Sequence, residues 1–411
     1  MARKFPDFLT AYAEYANDKF VPETFNEWSG LSVIAGALER KVWLPWNDTY
    51  SYYPNIYVML VARPGVGKSV ALNKAVDLLQ EVNRKTQSLN ILPSQVTEAK
   101  FIELMGHGKT YVDRSTGREL MLFQNAGYYF ASEASNSLRD IFGSFIACLT
   151  DFYDCPATWE RATKKDGKKI SLKNVCMNVL AGTTFDYLGK LVSDENIQGG
   201  FASRILYVVH REKLVRTQAF QMGLSPEDLA MRKSYRDALV HDLTEISKLC
   251  GAMKATPEFA AAWEAWNPKF ENIRQDMQSE KLQSLLARTN TNAIKLSMII
   301  SASESDDCVL RIQHWEKALR MLTAVNEQIP SIFRESKAAQ GPRAGGDAAT
   351  NAILKMVETG RATEGAIIAK MTMNGFNEAN TKSILNHLVT LKAIARTEQG
   401  LQILGDSNNH L

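Results

Sequence analysis

The segment Ala62-Arg63-Pro64-Gly65-Val66-Gly67-Lys68-Ser69 constrains this chain more than any other. It follows the apolar run Ile56-Tyr57-Val58-Met59-Leu60-Val61 and precedes Val70 to Leu79, whose apolar residues recur at helical spacing. Strand, glycine loop and helix in that order read as a phosphate-binding loop. Its glycines let consecutive backbone N–H groups curl around phosphates, its lysine reaches the β- and γ-phosphates, and the next hydroxyl holds magnesium. The helix N-terminus adds a dipole aimed at the anion. Pro64, Gly65, Val66, Gly67, Lys68 and Ser69 are therefore the expected contacts to ATP, with Ser69 also on Mg2+. Such loops usually begin with glycine, and Ala62 in that place requires an ordinary backbone there.

With 411 residues the chain has room for two or three domains. Its 48 basic and 45 acidic side chains nearly balance, so any nucleic-acid surface must be local. Cys148, Cys155, Cys176, Cys250 and Cys308 are scattered, without paired spacing or nearby histidines, which argues against a disulfide framework or a zinc site. A reducing, cytoplasmic compartment is expected. The opening Met1-Ala2-Arg3-Lys4-Phe5-Pro6 lacks the apolar core of a signal peptide, and no apolar run approaches the roughly 20 residues that cross a bilayer, so no membrane contact is expected.

Periodicity divides the chain further. Residues 1–45 carry apolar positions at helical spacing (Phe8, Leu9, Tyr12, Tyr15, then Trp28, Leu31, Val33, Ile34, Leu38), predicting two helices and then a short strand at Val42-Trp43-Leu44. Over 46–224 strand and helix patterns alternate, predicting an α/β core with a largely parallel sheet and strands near 56–61, 127–132, 176–183 and 204–209. Over 225–336 the strand signal fades, predicting a helical lid with helices at Phe259 to Trp266, Leu282 to Ser301 and His314 to Ile329. The small, polar, Gly- and Pro-broken stretch 337–347 reads as a linker. From 348 to 411, three helical patterns precede Ile394 to Thr397 and Leu401 to Leu404, the outline of a winged helix. Its third helix carries Asn380, Lys382, Asn386 and His387, suited to a major groove or, equally, to a protein partner.

Splitting a γ-phosphate requires a water-positioning group and positive charge on the transition state. The run Gly127 to Ala131, then Ser132-Glu133, is an apolar strand ending in a carboxylate. Glu133 there would polarise the attacking water, and would touch magnesium through water; it would equally suit the N-terminus of a helix over Ala134 to Phe142. Ser132 replaces the aspartate usual beside it. The apolar strand from Val175 ends in Thr183-Thr184, either of which could bond the water or the γ-phosphate, or cap a helix from Phe185 to Leu191. Arg204, after Gly199-Gly200-Phe201-Ala202-Ser203, is placed to reach a neighbour's γ-phosphate, or to pair with a surface carboxylate. Arg288 opens a lid helix and could approach the same nucleotide.

Between Glu133 and Thr183 lies Trp159 to Lys173, in which Asp166-Gly167 signals a hairpin turn. Lys164, Lys165, Lys168 and Lys169 cluster at its tip, with Lys173 further along. Such a cluster can track phosphates without reading bases, or simply guard a strand edge.

In this order of motifs the chain resembles AAA+ ATPases of phages and mobile elements that serve as replicative helicases, most closely their MCM-type branch. The order is phosphate loop, strand ending in Glu133, basic hairpin, Leu180 to Thr184, Gly200 to Arg204, helical lid and winged helix, spanning about Tyr53 to Leu404. The resemblance implies a hexameric ring acting on single-stranded or forked DNA. Lys68, Ser69 and Glu133 would act in cis, Arg204 would reach into the neighbouring subunit, Thr183 or Thr184 would be a sensor and Arg288 a second sensor. Ala62, Ser132 and a hydroxyl sensor in place of asparagine depart from the pattern. The expected activity is ATP hydrolysis that drives a DNA helicase in phage or mobile-element replication, with any primase or initiator on another chain. The alternative is an ATP-switched helicase loader or replication initiator that acts mainly by assembling on DNA. A metabolic kinase would leave the hairpin and the winged helix unexplained.

Overall fold

A computed structural model describes residues 2–17, 20–113, 119–131, 144–162, 169–185, 187–188, 200–212, 225–332, 343–358, 363–373, 378–390, 393–397 and 400–403. The chain divides into two compact units, Met1–Phe333 and Arg334–Leu411.

The first unit opens with helices α1 (Phe8–Ala16) and α2 (Glu23–Leu38) and strands β1 (Val42–Pro45) and β2 (Ser51–Tyr52). Next come β3 (Tyr57–Val61), α3 (Lys68–Thr86), β4 (Ile91–Leu92), α4 (Glu98–Met105), β5 (Lys109–Asp113) and β6 (Leu120–Ala131). Then follow α5 (Ser144–Tyr153), β7 (Thr158–Ala162), β8 (Lys169–Lys173), β9 (Val175–Thr183) and β10 (Ile205–Val209). The main sheet runs β10-β3-β9-β6-β4 with every neighbouring pair parallel, and β5 joins β6 antiparallel.

This is a mixed α/β unit built on a parallel sheet, and the reason lies in the sequence of β3. Parallel strands are covered on both faces, so they read as continuous apolar runs rather than alternations. All five residues of β3 are buried. Val58 and Leu60 pack with α2 and α3, whereas Tyr57, Met59 and Val61 pack with α4 and α5. Helix α2 lies so close to β6 that a Cβ at Gly36 would stand 2.5 Å from the Tyr128 ring, and Ser32 Oγ meets the Tyr128 hydroxyl at 3.0 Å. Strand β6 begins at Leu120 rather than near 127, because its first residues pair with β5 from Asp113 back to Lys109 as a hairpin.

The rest of the unit comprises α6 (Pro226–Ile246), β11 (Gly251–Ala252), β12 (Lys254–Ala255), α7 (Pro257–Gln275), α8 (Glu280–Leu286), α9 (Thr289–Glu304), β13 (Val309–Leu310) and α10 (Ile312–Asn326). Its helical character is interrupted by short parallel pairings, β11 with β1 and β12 with β13. The helix expected from Leu282 to Ser301 is split at Arg288, whose backbone leaves helical geometry (φ −102°, ψ 7°) to cap α9. Among the described residues no helix is long and apolar enough to cross a membrane.

The second unit contains α11 (Arg343–Glu358), α12 (Glu364–Met373), α13 (Glu378–Thr390) and an antiparallel pair, β14 (Ile394–Thr397) with β15 (Gly400–Ile403). Ile353, Val357, Ile367, Met371, Leu385, Ile394 and Leu401 form its core. Helix α11 starts at Arg343, inside the stretch 337–347 whose composition predicts a linker. Gly345 and Gly346 fall in its first turn, where the N–H groups have no intrahelical partner in any case.

Candidate nucleotide-binding site

Strand β3 ends at Val61 on the edge of the sheet formed by strand C-termini, and the chain turns there through residues 62–67 into α3. Gly65 and Gly67 both adopt φ +82°, and Gly67 is the N-cap of α3 in left-handed geometry. Ala62 is buried and keeps an ordinary φ. Among the described residues nothing stands within 4 Å of a Cβ built on Gly65, so they leave the loop open above that residue. At Gly67 the same Cβ would lie 3.1 Å from Val21 Cγ2 and 3.2 Å from the Phe20 carbonyl. Two consequences follow for stability. Gly65→Ala should cost only the left-handed strain, about 1–2 kcal/mol, while Gly67→Ala should cost more because strain and contact coincide. Urea unfolding of the two variants checks the order; equal losses would remove the contact argument.

Lys68 lies in the first turn of α3 and is buried, with its ammonium folded back over the loop. It donates to the Ala62 carbonyl at 2.7 Å and to the Arg63 carbonyl at 3.1 Å. Ser69 follows on the exposed side of the same turn. The first N–H groups of α3 have no intrahelical acceptors and supply the oriented donors that an anion needs.

Thr183 ends β9 directly beside this loop. It pairs with Val61, and its carbonyl accepts from Ala62 N–H at 3.3 Å. Its side chain is wholly buried, and Oγ1 has no hydrogen-bond partner among the described residues. A buried hydroxyl left unpaired costs about 1–3 kcal/mol, which a ligand oxygen or an ordered water could recover. Thr184 is less buried, and its carbonyl accepts from Leu188 N–H at 3.0 Å. No protein-family model matches this chain, and no curated protein matches it. Residue chemistry and geometry therefore carry the assignment.

Strand β6 ends at Ala131 on the same sheet edge, with β9 between it and β3. At about 4.8 Å between strands, the chain leaves β6 roughly 10 Å from the phosphate loop, a gap that a phosphate and a water can fill. Ser132, Glu133 and the helix expected over Ala134 to Phe142 lie outside the described residues.

Arg204 occupies the opposite edge. It immediately precedes β10, whose first residue, Ile205, pairs with Tyr57 at the start of β3. Its guanidinium is buried, forming an ion pair with Asp154 and donating to the Gly200 carbonyl at 2.8 Å. Arg288 reaches the same carboxylate, Nη1 to Asp154 Oδ1 at 2.8 Å. Within one chain Arg288 thus joins Arg204 at the far edge of the sheet, away from that chain's own phosphate loop. Asp154 had no signal in the sequence, where it reads as an ordinary loop residue after α5.

Beneath this trio the Lys295 ammonium sits 3.8 Å from the centre of the Tyr153 ring and donates to Asn55 Oδ1 at 2.7 Å. Burial pulls its pKa down to about 8, against the opposing influence of Cys155.

Strands β7 and β8 form the basic hairpin, with Trp159 opposite Leu172 and Ala162 opposite Lys169. Ile170 and Leu172 face inward, while Lys169, Ser171 and Lys173 are exposed. Lys169 also pairs with Glu160 at 2.8 Å. Lys164, Lys165 and Lys168 lie outside the described residues. In the second unit Lys382 is exposed on α13 and pairs with Glu378 one turn earlier at 2.7 Å, which raises its pKa.

Proposed function

We propose that this chain is an ATP-driven DNA translocase of the AAA+ class, a replicative helicase of MCM-like type whose active ring is built from several copies of itself, with a winged helix as its second unit. One observation supports this above the others. A glycine loop with two left-handed glycines joins a buried parallel strand to a helix whose first turn bears Lys68 and Ser69, beside the Thr183 hydroxyl, which has no partner among the described residues. Lys68 has the charge and Gly65 the open space that a polyphosphate needs. Ser69, exposed in the first turn, fits a magnesium ligand; bound with the nucleotide, the ion would neutralise charge between the β- and γ-phosphates. Thr183 would orient the γ-phosphate or the attacking water, and Glu133, following β6, would take up that water's proton.

The two exposed lysines of β8 support the DNA side of the reading, since they project from one face of a hairpin. Changing Lys169 and Lys173 together to Ala should weaken binding to single-stranded DNA and flatten its log–log salt dependence by roughly 1.4 if both meet phosphates. An unchanged slope would take the hairpin out of the DNA path.

The function itself is tested by ATP-dependent separation of a forked duplex, with particle imaging of the same sample. Rings that hydrolyse ATP faster on DNA and separate strands are the expected result. Assemblies that form with ATP but never separate strands would replace this reading with that of an assembly factor.

A further inference from the structure

Among the described residues, Asp154 is the one carboxylate that pairs with both Arg204 and Arg288, on the sheet edge far from the phosphate loop. Its Oδ2 pairs with Arg204 and its Oδ1 with Arg288. Both guanidiniums flank the Tyr153 ring, 5.7 and 5.8 Å from its centre, and the Lys295 ammonium lies against the same ring. Among the described residues these three cations face one carboxylate, paired with the two arginines, which leaves the seat short of negative charge. The deficit is local and structural. Arg204 Nε is buried without a hydrogen-bond partner among the described residues, a donor that the carboxylate leaves unused. Asp154 itself is substantially exposed, at 40 %, whereas Arg204 is 9 % exposed. The replaceable member of the trio is therefore the carboxylate.

The anion that would replace it cannot come from the same chain's nucleotide. Asn55, two residues before β3, donates to the Tyr153 carbonyl at 2.9 Å, which fixes the seat at the strand N-termini while the phosphate loop leaves the C-termini. Beside the seat, Tyr50 has a hydroxyl pKa pushed up to about 12, chiefly by burial; it is within electrostatic reach of Asp154, which adds to the rise, and of Arg288, which opposes it. Tyr50 belongs to a ring cluster with Tyr52, Trp46 and Trp263, of which Tyr50 and Trp46 remain exposed. Tyr, Trp and Arg gathered on one exposed face are the residues that dominate protein interfaces.

We propose that Asp154 is a positioning residue that stands in for a phosphate: it keeps Arg204 and Arg288 side by side in the free chain and yields them to the terminal phosphate of a triphosphate seated on the phosphate loop of a second copy. This rests on the proposed nucleotide function. The carboxylate lowers the repulsion between the guanidiniums, so the pair is already assembled when the phosphate arrives. It also competes with that phosphate, and so sets how much triphosphate is needed before two copies associate.

The test is nucleotide-dependent self-association of the full chain, followed by sedimentation while ATP is titrated, with ATP binding to the dilute monomer measured separately. Asp154→Asn removes the competing charge and keeps the shape. It should lower the ATP concentration for half-assembly at least fivefold without changing monomer affinity, and Asp154→Glu should behave as wild type. A purely structural role for Asp154 would not produce that split. Asp154→Ser, also neutral, serves if the Asn variant does not fold. In an Arg204→Ala background the effect of Asp154→Asn should shrink, and with Arg288→Ala added it should vanish. If the neutral variants bind ATP normally yet need as much or more of it to assemble, the stand-in role is overturned and the nucleotide reading survives. If the wild-type monomer binds no ATP, both fall.

Discussion

Replacing Lys68 with Ala should abolish ATP turnover and reduce ATP affinity by roughly 30-fold or more, the effect of removing about 2 kcal/mol or more when one partner of a charged hydrogen-bonded pair is truncated. The ammonium supplies the one positive side chain in the first turn of α3, and the carbonyls of Ala62 and Arg63 are among its acceptors. A hydrogen bond from an ammonium to an ionised phosphate is stronger than one to a neutral carbonyl, so a bound polyphosphate would draw the lysine from these carbonyls. In Lys68→Ala the same two carbonyls lose their donor. They belong to a loop whose Arg63 and Pro64 are exposed, so water replaces the lysine and the fold should persist. Calorimetric ATP titration, with far-ultraviolet circular dichroism as the folding control, checks both halves. A folded Lys68→Ala protein that binds ATP as tightly as wild type would take the nucleotide away from this loop.

The loop was legible in the sequence because every part of it is local: strand, turn and helix are consecutive, and Gly65 and Gly67 are required by the backbone they adopt. The parallel character of the sheet was legible for a related reason, since the unbroken apolar run of β3 demands cover on both faces. Neither argument extends to contacts between distant segments. Arg204 and Asp154 are 50 residues apart and Arg288 and Asp154 are 134 apart, and no periodicity links them. A lone arginine opening a lid helix therefore gave no sign of Asp154, the carboxylate it meets where the chain bends at Arg288. The β5–β6 hairpin escaped notice because one of its faces carries Val112, Met121 and Phe123, exposed where an amphipathic strand would place polar residues. Its apolar residues resembled core and so gave no period-two signal.

Arg204→Ala should lower ATP turnover in the assembled state by 10³-fold or more, the effect of removing an arginine finger, while leaving ATP binding to the monomer intact. The reason is positional. Arg204 precedes the residue that pairs with Tyr57, whereas the phosphate loop follows Val61, so about five residues of strand, roughly 16 Å, separate the two levels within one chain. A guanidinium held there by Asp154 and the Gly200 carbonyl can act only on a nucleotide brought by another copy. That arrangement makes a mixing experiment decisive. Lys68→Ala and Arg204→Ala chains should each be inactive alone, because every site lacks one member. Mixed in equal amounts in a head-to-tail ring, roughly a quarter of the interfaces regain an intact Lys68 facing an intact Arg204, and turnover should return toward that fraction. Arg204→Lys keeps the buried charge beside Asp154 and separates loss of fold from loss of the planar fork. Mixtures that assemble but stay inactive, or Arg204→Ala assemblies that turn over normally, would confine Arg204 to the structural pairing with Asp154.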